Sequence, residues 1–337
     1  MDNLKKEHIM QNRKYQFTRN IQNYGSCTLY QIQALRAFGN VKAGDLGGFI
    51  EHEQNLSQEG NCWVADNAKV FLEARIMDNA VVQDNAIVGG DVRVGGNAKI
   101  YEHSQVGGYD RGRVWIDGNV EIFGHANLRA TSSSISKELC ISDNVKIFGN
   151  ADILGGVDIS ENAKVYGNAS ILGTGEISGC AEVYGNAFIA NHYGYFTIGQ
   201  NAVISGGHVG DNARILGNTI LRNGDVMESA QISGNAIIDG ETMIHGTANV
   251  DNNAYLTREE DIFWVGLVGN RNYPISFYNT LKDGIWVNYV NEFDEDESQL
   301  CCSLADFLAF TKVHYAPKEY REFELLGEFV KSRMMGS

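Results

Sequence analysis

From Val64 to Leu256 an aliphatic residue returns at every sixth position, as in Val64, Val70, Ile76, Val82, Val88, Val94 and Ile100, and again from Ile141 through Ile147, Ile153, Ile159, Val165, Ile171, Ile177 and Val183 to Ile189. Two residues before most of them stands a small one (Ala68, Ala74, Ala80, Ala86, Ala98), and Asn often precedes that (Asn67, Asn79, Asn85, Asn97). A period of six matches neither a helical face, at about 3.6, nor an alternating strand; it matches a chain that turns a corner every six residues, with three sides to a coil. The aliphatic and small residues then point inward. The Asn residues are expected at the corners, because Asn tolerates the left-handed backbone region. Such coils bury little singly and must be stabilised by stacking on one another, with covered ends.

Five steps along the column are not six: 106 to 116, 128 to 135, 189 to 198, 204 to 209 and 221 to 226. Counting the steps in threes places four of them on one edge, with the 189 to 198 insertion elsewhere. Gly107–Arg113 is then expected beside 129–134.

The flanks break the period. Leu29–Leu35 alternates like a strand and leads to the turn Phe38-Gly39-Asn40; the stretch through Gly47-Gly48 to residue 60 reads as an N-terminal cap. Gly47-Gly48 lacks the Lys-Ser/Thr and helix of a phosphate loop. After Leu256, 263–268, 274–278 and 285–289 read as strands, Ser303 caps a helix carrying Leu304, Phe307, Leu308 and Thr311, and Pro317 opens a second with Tyr320, Phe323, Leu326, Phe329 and Val330. The acidic run Glu292–Glu297 between them reads as a solvated loop. The expected organisation is an N-terminal cap (1–60), a hexapeptide-repeat rod (61–256) and a small α+β domain (257–337).

The cap residues Tyr30, Ala34, Phe38-Gly39, Gly44–Ile50, Asn55-Leu56-Ser57 and Trp63-Val64, followed by the long Asn-Ala array, resemble a family of phage- and prophage-encoded hexapeptide-repeat proteins. That resemblance implies a mainly β fold, a left-handed parallel β-helix of about ten coils with an N-terminal cap and a small C-terminal α+β domain. The handedness comes from the resemblance alone. Such proteins are labelled acyltransferase-like from the repeat, which implies little about activity.

The net charge of −15 lies on the repeat and the tail. It argues against nucleic acid binding over a broad face and suits solubility or a basic partner. No apolar run is long enough to span a bilayer and the start is polar, so no membrane association is expected and the chain is expected in the cytoplasm, the host's if phage-encoded. The six cysteines show no Cys-x-x-Cys pairing, so no metal site or disulfide framework is expected. Cys62 occupies an inward small-residue position.

Acyltransferases of the resembled type use a histidine general base, with acetyl-coenzyme A along the coils. His192, in the 189 to 198 insertion, and the pair His103 and His125 are the candidates for that role. His103 and His125 are expected to stack on neighbouring coils, with Tyr101 and Phe123 stacked beside them, in a column otherwise held by Asn85 and Asn144. They read either as exposed corner residues or as a flat binding face. A second ladder, Phe148, Tyr166 and Tyr184, gives an outward apolar stripe, either an interface or rings that simply stack on one another. Arg111, Arg113 and Arg129 are brought together by adjacent insertions and could hold a nucleotide-like anion, or else balance local acid. No cofactor is expected on the leading reading, a non-enzymatic binding protein whose expected partner is a host protein such as a defence factor. The stripe also suits a homo-oligomer, a trimer before a dimer.

Overall fold

The computed structural model describes residues 13–108, 111–130, 138–191, 194–268, 273–282, 284–290 and 299–335. The chain divides into two compact units, Met1–Ser178 and Gly179–Ser337. Both contain β-solenoid: one face contributes six two-residue strands to the first unit and five to the second.

In the first unit the aliphatic column resolves into three inward rows. One runs Val64, Val82, Ile100, Ile122, Ile147, Val165, each paired in parallel register with the next. The second runs Val70, Val88, Val106, Leu128, Ile153, Ile171, and the third Ile76, Val94, Ile116, Ile141, Ile159, Ile177. All are buried. At about 1.5–3 kcal/mol for each buried aliphatic side chain, these rows are the main stabilising term of the unit. Ile50 precedes Val70 in its row and Leu56 bridges to Ile76, so parallel stacking begins inside the stretch read as cap.

The left-handed corner residue is not the Asn. It is the residue before the Asn (Asp66, Asp78, Asp84 and Asp143, or a glycine such as Gly96, Gly118 and Gly149), and likewise Glu102 and Gly124 before His103 and His125, that has positive φ. The acidic members use their side chains as well. Asp78 accepts from Gly96 N at 3.1 Å, Asp84 from Glu102 N at 3.0 Å, and Glu102 from Gly124 N at 2.9 Å. These carboxylates, part of the negative charge, therefore tie one coil's corner to the next.

The register also corrects the step count. Leu128 pairs with Val106 and Ile141 with Ile116, so the path from 128 to 141 is one side-to-side step, not two. Ile135 lies outside the described residues, and the placing of four irregular steps on one edge loses its basis. The 106 to 116 and 128 to 141 insertions do share an edge on adjacent coils. In the second unit the 189 to 198 insertion and the two short steps fall on different edges, since Ile189, Val209 and Val226 form one row and Ile198, Ile215 and Ile232 the next.

The cap is a hairpin, Tyr15–Tyr24 against Cys27–Ala34, continued by Leu46–Ile50. Its first strand, Tyr15–Tyr24, lies outside the alternating stretch and is largely exposed. Lys14 and Tyr15 are buried: Lys14 Nζ donates to Glu59 O (3.1 Å), Cys62 O (2.9 Å) and Cys62 Sγ (3.1 Å), and the Tyr15 hydroxyl lies 3.0 and 2.9 Å from the carbonyls of Glu53 and Leu56. Gly47 and Gly48 serve packing, because a Cβ on either would meet Trp63 or the Ala68 carbonyl at 2.5–2.6 Å.

In the second unit one inward row runs Val183, Ile204, Leu221, Ile238, Leu256, and its coils end under an antiparallel sheet of Ile262–Val268, Tyr273–Thr280, Gly284–Val290 and Gln299–Ser303. Helices Leu304–His314, capped by Ser303, and Pro317–Met335 pack on it through Phe277, Phe307, Phe323, Val330 and Met334. Gln299–Ser303 is a fourth strand beyond the three expected. Phe329, expected on the packed side, is half exposed against Phe263. The Glu292–Glu297 run lies outside the described residues.

Candidate functional site

One face of the first unit carries the side chains most able to bind something. On each strand the residue after the inward aliphatic points outward, and four successive strands put an aromatic ring there. Tyr101 stacks on Phe123 at 4.9 Å, Phe123 on Phe148 at 4.9 Å and Phe148 on Tyr166 at 4.7 Å, with interplanar angles of 3–8°. The two ladders expected separately are thus one, because Ile122 and Ile147 lie on neighbouring strands of the same face. Tyr184 holds the equivalent sequence position in the second unit. Rings stacked this flat cover one another's faces and offer their edges outward, an apolar stripe rather than a platform.

Beside the rings runs a row of amides. Asn61 donates to Asn79 at 3.0 Å, Asn79 to Asn97 at 3.1 Å, Asn97 to Asn119 and Asn119 to Asn144 at 3.0 Å, and Asn144 to Asn162 at 3.2 Å. The repeat retains Asn for this ladder rather than for a left-handed backbone. Between amides and rings lie Lys99, Glu121 and Lys146, the last two paired at 3.1 Å.

His103 and His125 stack at 5.0 Å and 5° on a different edge, both exposed. The residue next in their column is Asn150, not Asn144, since Asn127 pairs with Asp152 while Asn144 belongs to the amide row. No carboxylate forms an ion pair with either imidazole among the described residues, so nothing there orients a general base. His192 lies outside the described residues. Arg113 is bound by Asp91 (3.4 Å) and Glu138 (3.1 Å), and Arg129 by both oxygens of Asp152 (2.8 and 3.0 Å). Arg111 is exposed at a φ of 65°. Carboxylates thus already occupy two of the three guanidinium groups.

The cap contributes a cleft to the same face. Phe38 and Val41 close a two-residue turn, N to O at 3.1 and 2.8 Å, and Phe38 packs edge-on against Trp63 at 5.4 Å. The turn overhangs Asn61, leaving a cleft of about 600 Å3 that reaches Asn79, Asn97, Lys99 and Tyr101. Burial, with Glu121, Glu102 and Asp84 nearby, raises the Tyr101 phenol above its ordinary pKa, so it remains a neutral hydroxyl. Among the described residues no group of three or more His, Cys, Asp or Glu could hold a metal ion, and no helix is long and apolar enough to cross a membrane.

The class these features define is a β-solenoid built on a hexapeptide repeat, with its distinctive side chains on one flat face. No family model matches the chain. A 44-residue stretch is 52% identical to a protein of Escherichia coli described as the uncharacterized acetyltransferase YdcK. That match covers 13% of this chain and 14% of YdcK's length, so the similarity is local.

Proposed function

We propose that the protein is a non-enzymatic binding protein that engages another protein through the ring-edge stripe Tyr101, Phe123, Phe148 and Tyr166. The observation that carries this reading is the stack itself: four half-exposed aromatic rings in line, on rigid strands, next to a polar amide row. Aromatic anchors inside a polar rim are the usual energetic centre of an interface. The finer reading, a phage-derived protein acting on a host defence factor, draws its support from the resemblance of the cap and repeat. The test is capture from host lysate with the wild type and with Phe148→Ala/Tyr166→Ala. A partner recovered by the first and lost by the second, at equal melting temperature, supports the proposal; a partner retained equally by both overturns the role of the stripe. If the partner is a second copy, light scattering reads a trimer that the double change dissociates.

The local likeness to YdcK favours one other reading, acyl transfer from acetyl-coenzyme A with His192, or His103 and His125, as the base. Calorimetry with acetyl-coenzyme A decides it: no heat and no thermal shift at saturating ligand removes it.

A further inference from the structure

We infer that the cleft beneath the Gly39–Val41 turn is a binding site for a small molecule that joins a flat aromatic ring to an anionic group, with the size and chemistry of a nucleoside monophosphate. Its volume, about 600 Å3, falls in the range of pockets that enclose such ligands.

Tyr101 supplies the ring site. Phe123 covers one face of its ring at 4.9 Å, while the preceding coil has Gln83 in that position, so the aromatic stack stops where the cleft begins. A ligand ring lying on Tyr101, in the place that Gln83 holds on the preceding coil and would have to yield, continues the ladder with the same parallel geometry. Lys99 supplies the charge. It is exposed and has no ion-pair or hydrogen-bond partner among the described residues, because Glu121, its neighbour down the column, is engaged by Lys146 at 3.1 Å. Glu121 also lines the cleft, but its charge is met by Lys146, which leaves Lys99 to face an anion. Lys99 and Tyr101 stand two residues apart on one side of a strand, about 7 Å, a span that suits a base and a phosphate joined by one ribose.

The amide row supplies the remaining contacts. Each Asn Nδ2 donates to the next Oδ1, so the row's acceptor end is Asn61 Oδ1, which receives no donor among the described residues and lies in the cleft. Aligned amides polarise one another, which strengthens this oxygen as an acceptor for a ligand hydroxyl or N–H. The roof is preorganised: Phe38 is held by Trp63 and by the Lys14 ammonium 5.1 Å from its ring. The site is separate from the Arg113 and Arg129 edge and does not depend on the stripe's engaging a protein.

The test is calorimetry on the full chain with adenosine 5′-monophosphate, the aromatic carboxylate hippurate, adenosine and ribose 5-phosphate. We expect the monophosphate or hippurate to saturate below about 1 mM, with adenosine and ribose 5-phosphate about tenfold weaker, since each lacks one half of the recognition. Saturation by the monophosphate identifies a nucleotide-like ligand, and by hippurate alone an aromatic carboxylate. Lys99→Gln is expected to weaken binding about tenfold, Tyr101→Leu similarly, and Phe148→Ala/Tyr166→Ala not at all. Lys99→Gln is a surface change and decides the matter even if Tyr101→Leu disturbs the stack. No saturation by either anion overturns the inference, as does affinity undiminished in Lys99→Gln.

Discussion

Asp261 offers the sharpest test of how the second unit's last coil is joined to its closing sheet. The carboxylate is 4% exposed. Its Oδ2 accepts from Thr257 N (2.8 Å), Thr257 Oγ1 (3.1 Å) and Arg258 N (3.0 Å), and its Oδ1 from Asn279 Nδ2 (2.9 Å) and the Arg258 guanidinium (3.3 Å). Thr257 directly follows the final inward Leu256, and Asn279 lies in the second strand of the sheet, so this one side chain clips the two together. Burial alone would push its pKa up; the hydrogen bonds from Thr257, Asn279 and Arg258 outweigh that and hold it below the ordinary 3.8. Asp261→Asn retains one oxygen but turns an NH2 toward donors, whichever way the amide is placed. With charged hydrogen bonds at about 1.5–3 kcal/mol each, and the lost negative charge partly offset by cheaper burial, we expect a loss of about 2–4 kcal/mol at neutral pH. The sign with pH is fixed by the depressed pKa: the carboxylate's contribution is complete above 3.8 and is lost as pH falls through the lower folded-state value. The gap between wild type and Asp261→Asn should therefore narrow in acid. Urea unfolding at neutral and acid pH, with hydrogen exchange at the Thr257 and Arg258 amides as a local probe, reads both effects. A deficit below about 0.5 kcal/mol, or one that does not shrink in acid, would refute this account.

Other outcomes follow from single contacts. Lys14→Met removes the donor to Glu59 O, Cys62 O and Cys62 Sγ and should cost about 2–4 kcal/mol; equal urea midpoints would mean the buried ammonium contributes nothing net. Gly48→Ala places a Cβ 2.6 Å from the Ala68 carbonyl and should destabilise by about 1–3 kcal/mol or more, which thermal melting would detect. Asn119→Ala deletes two links of the amide row and should cost about 1 kcal/mol, with faster exchange of the Asn97 side-chain NH2, which loses its acceptor, and little change at Asn144, whose NH2 still donates to Asn162.

Much of this architecture was legible because a solenoid repeats one local decision many times. The inward rows, the Ser303 cap and the Pro317 helix start all follow from patterns that burial and capping enforce directly. What escaped the sequence depended on register. The two aromatic ladders look separate in the chain because 25 residues part Phe123 from Phe148, against the 18 of a regular coil such as Asn79 to Asn97; Ile135 fills the gap as a plausible sixth residue. Buried Lys14 escaped for another reason: a lysine in a polar leader reads as solvated, and only the fold brings the Cys62 thiol and two carbonyls around it. The Asn column is legible in the sequence but its cause is not, since a corner and the position after a corner carry similar residues while it is the corner that has a positive φ.

A repeating fold also determines where function can be written. Most positions that point inward are held to Val, Ile, Leu or Ala by the stacking of neighbours, with small residues such as Cys62, Ser104 and Thr219 as the exceptions, and the corner carboxylates are occupied in joining coils. Freedom is left in the outward side of each strand, and there the first unit departs from uniformity in one direction: Ala65 and Gln83 give way to Tyr101, Phe123, Phe148 and Tyr166. Were the rings present only to stabilise the solenoid, nothing would tie the start of their stack to any other feature. It starts at the mouth of the cleft that the cap turn roofs, beside the cation of the Lys99, Glu121 and Lys146 set that has no partner among the described residues. The proposal of two sites on this face, a stripe of ring edges for a protein and the end of the stack for a flat anion, rests on that coincidence of a stack end, an unpaired ammonium and the acceptor end of the amide row. The Lys99→Gln and Phe148→Ala/Tyr166→Ala variants separate them.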